Sequence, residues 1–167
     1  MGLFCENKKI MGPAHFFVVI FMDVYESRTI KDTFFLAGTL AKILKGGEVI
    51  AMSGSLGSGK TTFTQALAAN LNFKQNLNSP TFTIMKIYSR SGPYKIKKIC
   101  HVDAYRLNNS AEIMGIGIID YLGKENTITI IEWAEKVSDI LPADALWINF
   151  EINSAGLRTL KTNWPLT

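Results

Sequence analysis

The sequence has little cysteine, little arginine and no long apolar run, and each shortage excludes a class of protein. Its two cysteines, Cys5 and Cys100, lie far apart without the spacing of metal ligands. We therefore expect free thiols in a reducing, cytoplasmic compartment, with Cys100 as a small core residue, rather than a disulfide framework or a zinc site. The apolar run within residues 14–22 is too short to cross a bilayer, so no membrane association is predicted.

Length and charge indicate one domain with a short extension. The chain has 167 residues, 47% of them apolar, and a net charge of +4. We expect residues 1–25 to be an N-terminal extension, with Met11 or Met22 as alternative translation starts, and residues 26–167 to form the domain. The mild positive charge includes no long basic run, and the densest cluster (Lys95, Lys97 and Lys98) is typical of a solvated strand edge.

Residues 54–62 fit G-x-x-x-x-G-K-[ST], the phosphate-binding loop of nucleotide triphosphatases. Residues 48–52 before the loop are typical of a buried strand, and residues 63–71 after it of an amphipathic helix. Glycines allow the backbone to approach phosphate oxygens, while amides at the helix N-terminus point at the anion. The pattern predicts that Lys60 reaches the β- and γ-phosphates and that Thr61 binds Mg²⁺. The predicted phosphate-binding residues are Gly57, Ser58, Gly59, Lys60, Thr61 and Thr62.

Alternating strand and helix patterns place the loop in an α/β fold. We predict a three-layer P-loop NTPase-type sandwich with a central mixed sheet. The periodicity predicts helices over residues 29–44 and 110–122, a hairpin over 81–88 and 94–102, and strands over 127–131 and 145–152. Within the first hairpin strand, Phe82 and Ile84 are expected to point inward.

Two acidic residues follow hydrophobic strands, where ligands bind in such folds. Glu132 fits the position of the carboxylate that holds Mg²⁺, and Asp103 is the competing candidate. One would support the metal while the other orients the attacking water, and the sequence leaves the assignment open. His101 alternates with Asp103 along its strand, so both could face the same side, and a structural histidine bonded to a backbone group is favoured over a catalytic one. The segment with Thr81 and Thr83 is either a γ-phosphate sensor or a plain strand start.

Four blocks, in this order and spacing, together resemble the TsaE (YjeE) family. They are Gly-x-Leu-Gly-x-Gly-Lys-Thr-Thr, Ser-Pro-Thr-Phe-Thr, His-x-Asp-x-Tyr-Arg-Leu and Ile-Glu-Trp-x-Glu-Lys, and the resemblance spans about residues 27–160. The resemblance implies that the protein is the small ATPase of bacterial threonylcarbamoyl-adenosine tRNA modification. It further implies that the protein works with TsaD and TsaB, does not itself transfer the group to adenosine 37, hydrolyses ATP slowly without partners, and contacts tRNA indirectly or weakly.

The family also implies roles for individual residues. Lys60 would hold ATP phosphates and act in catalysis, Thr61 and Glu132 would bind Mg²⁺, and Asp103 would support hydrolysis. Trp133 would lie beside the nucleotide. Arg158 falls roughly where the family has a Gly-Arg pair near the nucleotide, although the spacing differs here.

Three other functions use a similar loop. A small-molecule or nucleoside kinase usually needs several clustered arginines and a lid, whereas this chain has four scattered arginines. A GTPase would show an Asn-Lys-x-Asp sequence, and this chain has none. A non-catalytic module would bind nucleotide without hydrolysing it. The sequence favours the ATPase.

Overall fold

The structure is a computed structural model that describes the backbone of residues 5–7 and 21–164 and the side chains of residues 23–164. The side chain of Cys5, the apolar run up to residue 20 and the alternative start at Met11 lie outside the described residues. Eight strands form one sheet in the described part of the chain. They are β1 (Cys5–Asn7), β2 (Phe21–Ser27), β3 (Val49–Gly54), β4 (Met85–Ser89), β5 (Lys98–Asp103), β6 (Thr127–Glu132), β7 (Leu146–Ile152) and β8 (Arg158–Thr162).

The sheet is mixed, and its parallel centre positions the site. The strand order is β1-β2-β8-β7-β3-β6-β5-β4. Strands β7, β3, β6 and β5 run parallel, while the outer strands join by antiparallel pairing. The C-terminal ends of β3, β5 and β6 therefore meet at one edge, with Asp103 directly opposite Glu132.

Helices cover both faces of the sheet, which confirms the predicted α/β class with a mixed sheet. Helices α1 (Ile30–Ile43) and α2 (Lys60–Asn70) enclose one buried cluster, which includes Leu40, Ile50 and Phe63. Helix α3 (Ser110–Gly115) and the 3₁₀ turns Ala104–Arg106, Ile118–Asp120 and Ala134–Ile140 enclose the other. Cys100 is fully buried in this second cluster, as predicted. Within the described ranges, no helix combines the length and apolar character needed to span a membrane.

Local signals explain the first helix. Thr29 caps α1 by accepting a hydrogen bond from the Asp32 amide, while the Asp32 carboxylate accepts from the Thr29 amide at 2.8 Å. This reciprocal arrangement satisfies two amides that the helix itself leaves unpaired. The helix predicted over residues 29–44 is confirmed.

The prediction of a strand beginning at Thr81 was wrong in its first half. The Pro80 carbonyl accepts from the amides of Thr83 and Ile84 at 2.9 and 2.6 Å, which closes a turn. Ile84 then adopts φ 63°, a left-handed conformation that a β-branched residue rarely takes, and β4 begins only at Met85. Phe82 points outward with 85% of its surface exposed, contrary to prediction. The antiparallel hairpin of β4 and β5 is confirmed.

Three strands were not predicted: β1, β2 and β8. Strand β8 pairs with β7, and β2 pairs with β8 over Asp23 to Ser27. A boundary between residues 25 and 26 therefore falls within strand β2. Residues 21–25 extend the sheet of the domain.

Candidate functional site

The phosphate-loop sequence forms the turn between β3 and α2, at the C-terminal edge of the sheet. Gly59 has φ 108° and precedes the first turn of α2 without a side-chain cap, so the helix N-terminus opens toward the loop. A side chain at Gly54 (φ 131°) would place its Cβ 2.3 Å from the Phe150 carbonyl oxygen. Only glycine fits there, and residues 56–62 of the loop line an open cavity at the helix N-terminus, a position suited to an anion.

Lys60 is buried at the start of α2, with its ammonium inside the loop. Nζ donates to the carbonyls of Gly54 and Ser55 at 2.7 and 2.9 Å and lies 4.2 Å from the centroid of the Trp133 ring. Burial lowers the pKa of Lys60 below the ordinary 10.5, and the nearby carboxylates, Glu132 foremost, partly oppose that shift. The site therefore holds a desolvated cation that a ligand anion would stabilise.

Glu132 ends β6 beneath the loop and connects two other predicted residues. The Thr61 hydroxyl donates to Glu132 Oε2 at 2.9 Å. His101 Nε2 lies 2.9 Å from Glu132 Oε1, and because an ionised carboxylate can only accept, the donor in this hydrogen bond is the Nε2–H group. His101 is fully buried, and its Nδ1 has no hydrogen-bond partner among the described residues. The prediction that His101 bonds to a backbone group was therefore wrong, because the register of β5 and β6 places His101 and Glu132 close together on the same face of the sheet.

Asp103 lies at the end of β5 and holds the segment that follows α2. Its Oδ2 accepts hydrogen bonds from the hydroxyls of Ser79 and Thr81 at 2.6 and 2.5 Å, and its Oδ1 accepts from the Tyr105 amide at 3.1 Å. Thr83 is exposed, and its hydroxyl lies 3.5 Å from the Pro80 carbonyl oxygen. Thr81 thus meets the site, whereas Thr83 does not.

A cavity of about 330 Å³ lies against the loop, between the two carboxylates and two aromatic rings. Lys60, Thr61, Asp103 and Glu132 line it together with the segment around Thr81, so the structure brings these predicted site residues into one place. Trp133 also lines it, in a left-handed conformation (φ 59°), and its ring centroid lies 5.1 Å from that of Tyr105. Ser79 also lines the cavity and belongs to the same segment as Thr81. Tyr105 was not among the predicted site residues, although it belongs to the His-x-Asp-x-Tyr-Arg-Leu block.

Arg158 lies on the other side of the loop. Together with Gly57, Gly59 and Thr62 it lines a smaller cavity of about 170 Å³, whose other side is formed by residues at the end of β2 and the start of α1. A Cβ on Gly59 would lie 3.7 Å from the Arg158 side chain. The predicted nucleotide-binding residues therefore surround the loop on both sides.

The oxygen donors of the site fit a magnesium ion bound together with phosphate. Mg²⁺ prefers hard oxygen ligands and usually retains waters while it binds one or two protein groups and the substrate phosphates. Thr61 and Glu132 present a hydroxyl and a carboxylate 2.9 Å apart beside the loop. The described residues contain no group of three or more His, Cys, Asp or Glu side chains of the kind that forms an all-protein cage.

Comparison with known proteins identifies the family. The model of the family described as "Threonylcarbamoyl adenosine biosynthesis protein TsaE" matches residues 27–160. The chain belongs to the TsaE family. The loop, Asp103, Glu132 and Trp133 all lie inside the matched range, as does Arg158.

Curated relatives and a solved structure agree with this assignment. A tRNA threonylcarbamoyladenosine biosynthesis protein TsaE of Bacillus subtilis (strain 168) is 34% identical over 118 residues, which cover 71% of this chain and 70% of that protein. The protein of the same name from Aquifex aeolicus (strain VF5) is 38% identical over 110 residues, covering 64% and 72%. A structure titled "Crystal structure of Bacillus subtilus YdiB" superimposes with a TM-score of 0.69 at 26% identity and covers 84% of each chain.

Proposed function

We propose that the protein binds ATP and hydrolyses it in a Mg²⁺-dependent reaction, as a component of the machinery that makes N6-threonylcarbamoyladenosine at position 37 of tRNA. In this role it works with TsaD and TsaB in the cytoplasm and does not transfer the group itself. The observation that carries the proposal is the contact between Thr61 and Glu132 beside the loop that holds Lys60. Family membership directs that chemistry to tRNA modification.

The loop and Lys60 bind the phosphates. Lys60 is pre-positioned by its two backbone carbonyls and by Trp133, so little side-chain freedom is lost when an anion binds. Its ammonium is desolvated, and a phosphate charge at this position interacts more strongly than it would in water. Arg158 adds a second positive charge on the other side of the loop and is proposed to contact the nucleotide.

Thr61 and Glu132 would hold Mg²⁺. When bound, the ion neutralises charge on the phosphate oxygens during hydrolysis. Glu132 is 3% exposed, and the hydrogen bond from His101 fixes Oε1 while Oε2 faces Thr61. A carboxylate held at both oxygens needs little reorganisation to act as a ligand.

Asp103 is the proposed residue for orienting the attacking water. It is 5% exposed, and it lies next to Glu132 across the β5–β6 pair. Its Oδ2 already accepts from two hydroxyls, which shows that this oxygen is directed at groups in the cavity. Because Thr81 is one of these donors, Asp103 connects the proposed hydrolytic site to the segment that contains Thr81 and Phe82.

Steady-state hydrolysis of ATP by point variants tests the division of roles. Glu132→Gln should lower Mg²⁺-dependent turnover more than ATP affinity, and Asp103→Asn should lower turnover with little change in the Mg²⁺ requirement. Glu135→Gln is the matched control, since Glu135 also acts electrostatically on Lys60 but is exposed. If Glu132→Gln leaves turnover and the Mg²⁺ requirement unchanged, the metal role moves to Asp103.

A pull-down with TsaB and TsaD, with and without ATP, tests the partners. We expect nucleotide-dependent association, and hydrolysis that accelerates when both partners are added. Rapid phosphorylation of a small acceptor without partners would instead indicate a kinase.

A further inference from the structure

Charge is distributed unevenly along this chain. Residues 49–102 contain no aspartate or glutamate, yet they include seven lysine and arginine residues. The rest of the chain therefore has a net charge of −3. One of the seven cations, Lys60, lies in the nucleotide site. The other six are Lys74, Lys86, Arg90, Lys95, Lys97 and Lys98.

The fold gathers five of these cations at one corner of the sheet, which we call the basic corner: Lys74, Arg90, Lys95, Lys97 and Lys98. Strand β4 is the terminal strand of the sheet, and its pairing with β5 ends at Ser89 opposite Lys98, so residues 90–97 form the tip of the hairpin. The loop after α2 joins this tip, because Gln75 Nε2 donates to the Ser89 carbonyl at 2.6 Å and the Arg90 guanidinium donates to the Leu71 carbonyl.

Packing holds the tip in one shape. The Arg90 guanidinium lies 3.8 Å from the centroid of the Tyr94 ring and 4.7 Å from that of Phe73, and its Nε donates to the Ile96 carbonyl at 2.7 Å. The amides of Lys97 and Lys98 donate to the Asn126 carbonyl at 2.7 and 3.0 Å. All four lysines of the basic corner have exposed side chains. The cations are thus presented on an ordered scaffold, which lowers the entropy lost on binding.

The basic corner is separate from the nucleotide site. Strand β5 runs from Lys98 at the basic corner to Asp103 at the site, and the two lie at opposite ends of that strand. Asn126, which accepts from the amides of Lys97 and Lys98, follows Lys124 and Glu125 in the chain, and these two neighbours carry opposite charges. The positive charge therefore does not serve the proposed ATP chemistry.

We infer that the basic corner binds the phosphate backbone of RNA directly. Tyr94, 43% exposed, is the one exposed large apolar side chain described within residues 86–98. A protein interface would need an apolar centre, and a membrane-binding surface would need apolar side chains to insert. Exposed cations with little apolar surface between them instead fit a phosphate backbone. The choice of RNA rests on the proposed function in tRNA modification.

Fluorescence anisotropy with a labelled, unmodified tRNA transcript and the full chain tests this inference. The variant Lys95→Gln/Lys97→Gln/Lys98→Gln should bind tRNA about 10- to 100-fold more weakly than the wild type at 0.1 M salt. Each lysine that no longer contacts a phosphate reduces the number of counterions that the RNA releases on binding. The slope of log affinity against log salt should fall in magnitude by about 2. ATP binding should be unchanged, so a failure of the nucleotide proposal appears separately, as absent ATP binding in both proteins.

The control variant Lys31→Gln/Lys42→Gln/Lys45→Gln makes the same change in net charge on and just after α1, where all three lysines are exposed. It should lower tRNA affinity much less than the hairpin variant. Equal loss in both variants, or unchanged affinity in the hairpin variant, would overturn the inference. So would equal competition by polyglutamate of matched charge, which would indicate an acidic protein partner.

Discussion

Replacing His101 with leucine is expected to raise the Mg²⁺ concentration that ATP hydrolysis requires, with little change in ATP affinity. His101 is fully buried and donates to Glu132 Oε1 at 2.9 Å. Leucine has a similar volume but no donor, so the change leaves a buried carboxylate oxygen without its partner. Lost hydrogen bonds to buried polar groups cost about 1–3 kcal/mol, and more for charged groups.

The lost hydrogen bond is expected to lower both the free energy of unfolding and the affinity of the site for Mg²⁺. Loss of a residue that orients a metal ligand typically lowers metal affinity by about 10- to 100-fold. The Mg²⁺ concentration for half-maximal ATP hydrolysis should therefore rise by about that factor, while ATP affinity measured without metal changes little. His101→Gln, which restores an N–H donor of comparable reach, should recover most of the metal response.

Cys100→Ala serves as the control for packing, because Cys100 adjoins His101 on β5 and is equally buried. It should lower the thermal midpoint and leave the Mg²⁺ dependence unchanged. If His101→Leu shows the wild-type Mg²⁺ dependence, or if His101→Gln is as impaired as His101→Leu, the positioning role of His101 is refuted.

Three further predictions concern the loop and the core. Burial lowers the pKa of Lys60 below 10.5, so ATP affinity measured by calorimetry should fall as pH rises through that lowered pKa. Lys60→Arg should retain ATP affinity to higher pH. The same dependence of ATP affinity on pH in both proteins would contradict this prediction. The same shift means that the unfolded chain holds more protons in that window, so the contribution of Lys60 to stability rises with pH there. Burial raises the pKa of Cys100 to about 12, so iodoacetamide at neutral pH should modify this thiol only after denaturation. Mass spectrometry locates the alkylated residue, and alkylation of Cys100 in the native protein would refute its burial. Gly54→Ala should lower the free energy of unfolding in urea by about 2–4 kcal/mol, because the added Cβ would lie 2.3 Å from the Phe150 carbonyl oxygen. Gly57→Ala should lower it by only about 1–2 kcal/mol, because no atom lies within 4 Å of the added Cβ. Equal losses in the two variants would show that the clash at Gly54 is relieved.

The sequence predicted the centre of the fold better than its edges. A buried strand, a glycine loop and a helix follow in order around Lys60, and this local signal is strong because backbone geometry demands those residues. The apolar runs that end at Asp103 and Glu132 predicted two strands, and the structure pairs these strands in parallel. Strands β2 and β8 lie toward one side of the sheet, where β2 pairs with β1 and β8, and β8 pairs with β2 and β7. Their positions depend on these distant pairings, and the sequence of each strand has little signal of its own.

The finer geometry of the site depended on contacts distant in sequence. Alternation along β5 predicted that His101 and Asp103 lie on the same face of the sheet. Only the pairing of β5 with β6 shows that His101 forms a hydrogen bond with Glu132. The turn after Pro80 places Ile84 in a conformation that its side chain disfavours, so propensity alone predicted a strand there. Tertiary hydrogen bonds, including that of Thr81 with Asp103, outweigh this local preference.

Calorimetric titration of ATP in the presence of Mg²⁺, with the wild type and Lys60→Ala in parallel, tests the central claim most directly. The account predicts saturable binding to the wild type and its loss in Lys60→Ala, because the phosphates lose the buried ammonium held by Gly54 and Ser55. Lys31→Ala, an exposed lysine on α1, should bind like the wild type. Equal ATP affinity in Lys60→Ala and the wild type would contradict the account.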